Sequence, residues 1–315
     1  MAKNNYDPVG TLSVGNVVTT SITLYKSNFK RYFQVSLRAT GWLLAILLVI
    51  FVAALASGIL YAITNSWLVS SPVAIIGGIV GTLYCSAKYA TDRAVISRLA
   101  YQELIDAPET VAVATQKLIP QTWGFLRVTW LISLYLFLIA IVAYIISVIA
   151  VTMIGAIVIY GLGLTIESPF AIIIISLAVI GAVLLTFGIL IRYYAYWFVA
   201  EIPLAVEQTK SANASIARSK QLISTAVGRV ILIVTIAFLM MIPINTLGNA
   251  PSLIGQAMLT ASTDPATQGI GGALMLGGLI LNLISELFIM PFWQIIKSIV
   301  YYDLRNRREG GDLTI

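Results

Sequence analysis

Residues 39–87 read ATGWLLAILLVIFVAALASGILYAITNSWLVSSPVAIIGGIVGTLYCSA, 49 positions without a Lys or Arg, closed by Arg38 on one side and Lys88 on the other. A helix that crosses a membrane uses about 20 apolar residues, so this stretch holds two crossings and a turn. Two more such windows follow, 128–191 and 230–296, of 64 and 67 residues, and all 19 Lys and Arg fall outside the three. Lys and Arg gather on the cytoplasmic side of membrane proteins. Each window must therefore leave and return, because an odd number of crossings would strand the next basic segment outside. The pattern predicts an all-α polytopic membrane protein, six transmembrane helices as three hairpins, with both termini cytoplasmic.

Composition agrees. Hydrophobic residues make up 59% of the chain and charged ones 10%, with a mean hydropathy of +0.94, against about 25% charged residues in soluble domains. The formal net charge of +6 sits at membrane edges, where it sets orientation and attracts anionic lipid heads, so no nucleic-acid partner is expected. Cys85 is the one cysteine and excludes an internal disulfide. The first 38 residues carry Lys26, Lys30, Arg31 and Arg38 and no early apolar core, so the first span is expected to act as an uncleaved anchor.

The spans are expected near 41–63, 71–87, 128–150, 169–191, 230–249 and 275–296. Trp42, Trp67, Trp130, Trp197 and Trp293 fall close to their ends, as interfacial aromatics do. Gly155, Gly161 and Gly163 suggest the turn of the second hairpin. Residues 250–270, with Pro251, Asp264, Pro265 and glycines, read as the last external loop.

Between the windows lie short amphipathic segments. Asp106-Ala107-Pro108-Glu109 has the spacing of a capping box opening a helix toward Leu118. Ser211 precedes a helix with Ala212, Ile216, Ile223 and Val227 on one face, and Ser13 precedes Val14, Val17, Val18, Ile22, Tyr25 and Phe29 at helical spacing. Such helices are expected either to lie at the cytoplasmic interface, with Lys26, Lys30, Arg218 and Lys220 near lipid phosphates, or to pack on the bundle. An offset of 104 residues pairs Lys88 with Arg192, Tyr89 with Tyr193, Thr115 with Ser219 and Gly124 with Gly228. This suggests three parallel repeats, 13–98, 106–202 and 211–305, within a single membrane domain 1–315.

The C-terminal run Tyr301-Tyr302-Asp303-Leu304-Arg305-Asn306-Arg307-Arg308-Glu309-Gly310-Gly311-Asp312-Leu313 resembles the ending of the bacterial glycerophosphoryl diester phosphodiesterase membrane-domain family and its uncharacterised relatives. Leu12-Ser13-Val14-Gly15 leading to Leu24-Tyr25-Lys26-Ser27-Asn28-Phe29, and Ala217-Arg218-Ser219-Lys220-Gln221-Leu222, are similar to the same family. The resemblance implies a six-span domain, fused in some relatives to a soluble phosphodiesterase, and no known activity for the membrane part. The terminal alternation of Arg305, Arg307 and Arg308 with Asp303, Glu309 and Asp312 suggests ion pairs that dock this segment, with Tyr302, against the cytoplasmic helices.

The chemical inventory is sparse. A phosphodiesterase barrel needs about 200 or more soluble residues, and the interval 88–127 is far shorter. With no His and one Cys, triads, His acid–base catalysis and the usual Zn sites are excluded, so no catalytic residue, metal or cofactor is expected. Of the 13 acidic residues only Glu167, Asp264 and Glu286 fall within the windows, and only Glu286 belongs to a span. It precedes Lys297 by 11 positions, roughly 16 Å of helix. A charge there costs about 2.5 kcal/mol or more, so Glu286 is expected neutral or bonded to polar neighbours, with Asn282 and Asn245 the candidates. These residues suggest a non-catalytic inner-membrane scaffold, partner subunit or lipid-contacting domain. Its partners would be membrane lipids, anionic ones included, and a protein or a second copy. The alternative is a transporter or lipid-moving protein that uses Glu286.

Overall fold

The computed structural model describes residues 13–207, 209 and 211–309, and the regular structure among them is helical. In chain order the elements are α1 (Val14–Ser27), α2 (Phe29–Thr64), α3 (Trp67–Leu104), α4 (Val111–Leu118), α5 (Thr122–Ala156), α6 (Pro169–Tyr196), α7 (Ile202–Val206), α8 (Ala212–Ile223), α9 (Val227–Ala261) and α10 (Pro265–Glu309). Six of the helical stretches among the described residues are long and apolar enough to cross a membrane: Phe29–Thr64, Trp67–Leu104, Val111–Gly161, Pro169–Tyr196, Val227–Ala261 and Pro265–Glu309. At about 1.5 Å per residue, 36 residues of α2 and 45 of α10 greatly exceed the roughly 30 Å of bilayer hydrocarbon. The helices therefore overrun the expected spans.

The overruns share one end of the molecule, where the charges are. Tyr32, Ile96, Leu99, Leu118, Phe125, Ile202, Leu222, Ile295 and Tyr301 are almost fully covered there. Farther along the same helices Leu48, Leu184 and Leu185 are 61%, 65% and 70% exposed, an apolar surface far beyond what water tolerates on a monomer. The short helices complete the charged end and bury their apolar faces in it: Val17, Val18 and Leu24 of α1, Ala114 and Leu118 of α4, and Ala212, Ile216, Leu222 and Ile223 of α8.

Sequence-adjacent long helices pack on each other, α2 on α3, α5 on α6 and α9 on α10. Asn65 takes a left-handed conformation (φ 49°) and donates its N–H to Tyr61 O, which reverses the chain in two residues; Tyr61 and Trp67 stack at 4.3 Å across the turn. The second turn follows a π-helical stretch, Ile157–Gly161, and uses Gly163 at φ +65°. Both Ser13 and Ser211 cap their helices, accepting from Asn16 N and Ala214 N at 3.2 Å.

Two sequence expectations are corrected. Asp106 and Glu109 form no capping box: Asp106 ends α3 at φ 55°, and α4 is capped by Thr110, which accepts from Val113 N. Residues 250–270 are helical apart from a three-residue turn, Ser262–Asp264. Of their two glycines Gly255 serves close packing, as Gly248 and Gly278 do on either side. A Cβ on Gly255 would lie 2.5 Å from Gly271 O, and one on Gly248 2.6 Å from Ser285 Oγ, while Gly278 meets Ser252. Absent side chains let α9 and α10 touch backbone to backbone, as small residues do in membrane interfaces. Asp264 then caps α10, accepting from Thr267 N at 3.0 Å, with Pro265 in the first turn.

Candidate functional site

One contact orders the polar interior. Tyr89 donates to Glu286 Oε1 at 3.0 Å and Ser97 bonds to Gln294 at 2.9 Å, both across 197 positions; Ser298 donates to Ser97 O at 2.8 Å. A constant offset means that α3 and α10 run parallel. Residues 86, 89, 93 and 97 recur at helical spacing on α3, and 286, 294, 297 and 298 do so on α10. The two faces form a polar seam.

At the seam's centre Gln294, 1% exposed, holds three groups. With its amide in the orientation that satisfies both ends, it donates to Glu201 Oε1 at 2.6 Å and to Ser97 Oγ at 2.9 Å. It accepts from Arg93 Nε at 2.9 Å and Nη2 at 3.0 Å. Lys297 donates to Glu201 Oε1 at 2.6 Å, and Arg93 Nη2 lies 3.8 Å from the same oxygen. Burial alone pushes the Glu201 carboxyl up. The Lys297 ammonium and Arg93 guanidinium more than offset this and hold it below the usual carboxylate range, so Glu201 is the anion of the group. The Arg93 guanidinium lies 5.7 Å from the Tyr89 ring centre, which links the group to Glu286.

Glu201 is positioned by a helix break. The chain leaves α6 at Tyr196 and re-enters helix at Ile202, freeing carbonyls that need donors. Two serines of α8 supply them: Ser219 donates to Tyr196 O at 2.9 Å and Ser215 to Ala200 O at 2.6 Å. Arg98 donates to Ala205 O at 2.6 Å at the other end of α7.

Around the seam lie fixed ion pairs. Glu109 takes Arg98 Nε and Nη2 at 2.8 and 2.9 Å and Lys117 at 2.6 Å. These bonds, Arg98's foremost, pull its carboxyl down to about 2 against a burial effect that raises it. Arg38 grips both oxygens of Asp92 at 3.0 Å, and Arg31 bonds Glu103 and Glu109 O.

The C-terminal run docks here too. Arg218 pairs with Glu207 at 3.3 Å and with Glu309; Arg305 bonds Glu309 at 2.9 Å and the Tyr101 hydroxyl at 3.0 Å. Asp303 is gripped by Arg229 at 3.1 Å and Arg307 at 3.0 Å. Tyr302 meets the Tyr101 ring edge-on at 6.2 Å. Asp312 lies outside the described residues.

Of the polar residues expected around Glu286, neither asparagine bonds to it. Asn282 donates to Asn249 Oδ1 at 2.8 Å and Asn245 to Met241 O at 3.1 Å; the partner is Tyr89, a residue that sequence reasoning missed. Arg93, Glu201, Gln294 and Lys297 were missed as well. A signal existed: Glu201 and Lys297 are isolated charges in apolar runs, Phe198–Leu204 and Ile295–Tyr301. Of the four cations expected at lipid heads, Arg218 is turned inward onto carboxylates, whereas Lys26, Lys30 and Lys220 are exposed.

Two spaces open beside the seam. One, of about 480 Å³, lies between α3 and α5 and is lined by Ser86, Tyr89, Arg93, Thr129, Trp130 and Phe137 among others. The second, of about 670 Å³, is almost wholly apolar and lies among α5, α6 and α9, with Phe137, Phe187, Ile191, Tyr194, Phe238 and Trp293 in its wall. Phe137 belongs to both. No protein-family model, curated protein or solved structure matches this chain.

Proposed function

We propose that this chain is a multi-pass bacterial inner-membrane protein, three hairpins with the charged end and both termini in the cytoplasm, that works without catalysis as a lipid-binding scaffold. The observation that carries this reading is how the charges are used. Asp92, Glu103, Glu109, Glu201, Glu207, Asp303 and Glu309 each take a cation in a contact that ties one helix to another or to its own next turn. Such pairs fix geometry. The two spaces beside the seam are instead walled by apolar side chains that are themselves exposed, Trp130, Phe137, Phe187 and Phe238, a surface suited to lipid. The resemblance of the terminal run to a membrane-domain family agrees with a role as an accessory to a partner protein or a second copy.

A lipid-binding scaffold keeps lipid through purification and is stabilised by it, since a ligand that binds the folded form alone raises its stability. Native mass spectra of the detergent-purified protein should show retained phospholipid, and returning phospholipid to delipidated protein should raise the unfolding temperature. No retained lipid and no stabilisation would remove this reading.

A second reading, a proton-linked transporter or lipid mover, is favoured by the Tyr89–Glu286 bond, which places a carboxylate on a seam between two long helices. The same bond sets Glu286 level with Tyr89, one residue past Lys88 at the edge of the first cation-free window, and a single carboxylate there is slender support compared with the broken helices of carriers.

A further inference from the structure

We infer that the two spaces that meet at Phe137 are one binding site for an anionic phospholipid, with the head-group phosphate on Arg93 and an acyl chain in the crevice among α5, α6 and α9. The inference rests on the lipid-binding reading and adds the head-group class and the place.

Two observations converge on the head-group end. Arg93 gives Nε and Nη2 to Gln294, and among the described residues Nη1 makes no hydrogen bond, although the side chain lines the 480 Å³ space and is 23% exposed. Two cations, Arg93 and Lys297, meet one carboxylate, Glu201, in that group; the other seam carboxylate, Glu286, is engaged by Tyr89. Tyr89 is itself uncharged, so what the group offers an anion is the free guanidinium edge at Nη1 rather than an unmatched charge. The hydroxyls provide the second observation. Ser and Thr in apolar helices commonly bond back to the carbonyl four residues earlier, as Ser21, Ser71, Thr91, Thr152 and Ser285 do here. Ser86 and Ser133, in the wall beside Arg93, make no hydrogen bond among the described residues. A guanidinium edge and two free hydroxyls offer the donors that phosphate oxygens accept.

The chain end follows from depth and shape. Arg93 lies five residues, about 7.5 Å of helix, beyond Lys88, which closes the cation-free window, so a phosphate on it would sit just outside the apolar span. From there Phe137 leads into the apolar crevice, whose walls are Phe187, Ile191 and Phe238. A neutral apolar ligand would leave Arg93 bare, and a free phosphate would leave the crevice unfilled.

The test uses the full-length protein in detergent micelles and phosphatidylglycerol with a photoreactive diazirine in one acyl chain. Cross-links should saturate and map to α5, α6 and α9 around Phe137, Phe187 and Phe238. Arg93→Gln should weaken phosphatidylglycerol binding roughly tenfold or more, the range of one charge-assisted bond, and bring it down to the level of phosphatidylcholine, whose phosphate charge is offset by its own choline. Because Arg93 also serves the buried group, Ala140→Phe provides a second variant: it fills the crevice without touching Arg93 and should abolish saturable labelling at unchanged thermal stability. Glycerol 3-phosphate should not compete. Equal labelling by phosphatidylcholine and phosphatidylglycerol in the wild type would overturn the anionic site while lipid binding itself stands. Cross-links scattered over all helix exteriors, saturable labelling that survives Ala140→Phe, or displacement by glycerol 3-phosphate would overturn it equally.

Discussion

The Lys297 ammonium lies 2.6 Å from Glu201 Oε1, with each side chain only 10% exposed. Removing one member of such a pair strands the other in a poor solvent, at a cost of about 3–5 kcal/mol. Glu201→Gln, which leaves Lys297 and Arg93 facing each other, should therefore lower thermal stability in detergent by an amount in that range. Adding Lys297→Met to Glu201→Gln should recover a large part of the loss. A double variant as unstable as the sum of the two single ones would show that the pair is not coupled.

Glu109 makes the charged end sensitive to acid. Its carboxyl is held at about 2, below the ordinary glutamate value near 4.3. A carboxylate depressed by folding contributes stability that is complete above the unfolded value and is lost as pH falls through the folded one. The stability gap between wild type and Glu109→Gln should be full at pH 7 and should close between about pH 4.3 and 2. A gap that stays constant over that range would contradict this account of Arg98 and Lys117.

At the other end of the molecule, Gly278→Ala places a methyl against Ser252, so the backbones of α9 and α10 must separate. Overpacking of this kind costs about 1–3 kcal/mol. Gly277 has open space at its Cβ position, so Gly277→Ala should leave stability unchanged or raise it slightly. Equal effects at the two neighbours would mean that α9 and α10 do not touch there.

Glu286 separates a scaffold from a proton-coupled mover. If its role is to accept from Tyr89 and join α3 to α10, Glu286→Gln keeps an acceptor and should preserve folding and complementation of the deletion phenotype. Glu286→Leu should then destabilise by about 0.5–2 kcal/mol. A stably folded Gln variant that fails to complement would favour the transport reading, because an amide cannot ionise.

The six long helices were legible because charge exclusion is a coarse signal that survives any error in span ends. The site was not. Arg93 and Lys297 were counted as cations that mark a membrane edge, which hid that each turns inward to meet Glu201 from a different helix. Pairing of that kind depends on the parallel register of α3 and α10, which no local spacing encodes. Glycine was misread for a related reason. In water Gly255 and Pro251 would signal a loop, whereas between two packed apolar helices a missing side chain is a place for the neighbour's backbone. The Asp106–Glu109 spacing failed because Arg98 and Lys117 offer the glutamate stronger donors than a backbone amide.

The parallel pairing of α3 with α10 also constrains the order of assembly. The third helix leaves the ribosome long before the tenth, separated from it by 160 residues between Leu104 and Pro265. Until the last helix arrives, Tyr89, Arg93 and Ser97 have none of the partners that it carries. A nascent chain cannot finish one hairpin and move to the next; it must hold a polar stripe open beside the insertion machinery until its final segment is made. Chains stopped before Pro265 should therefore remain bound to chaperone or be degraded, even with five of the six long helices complete.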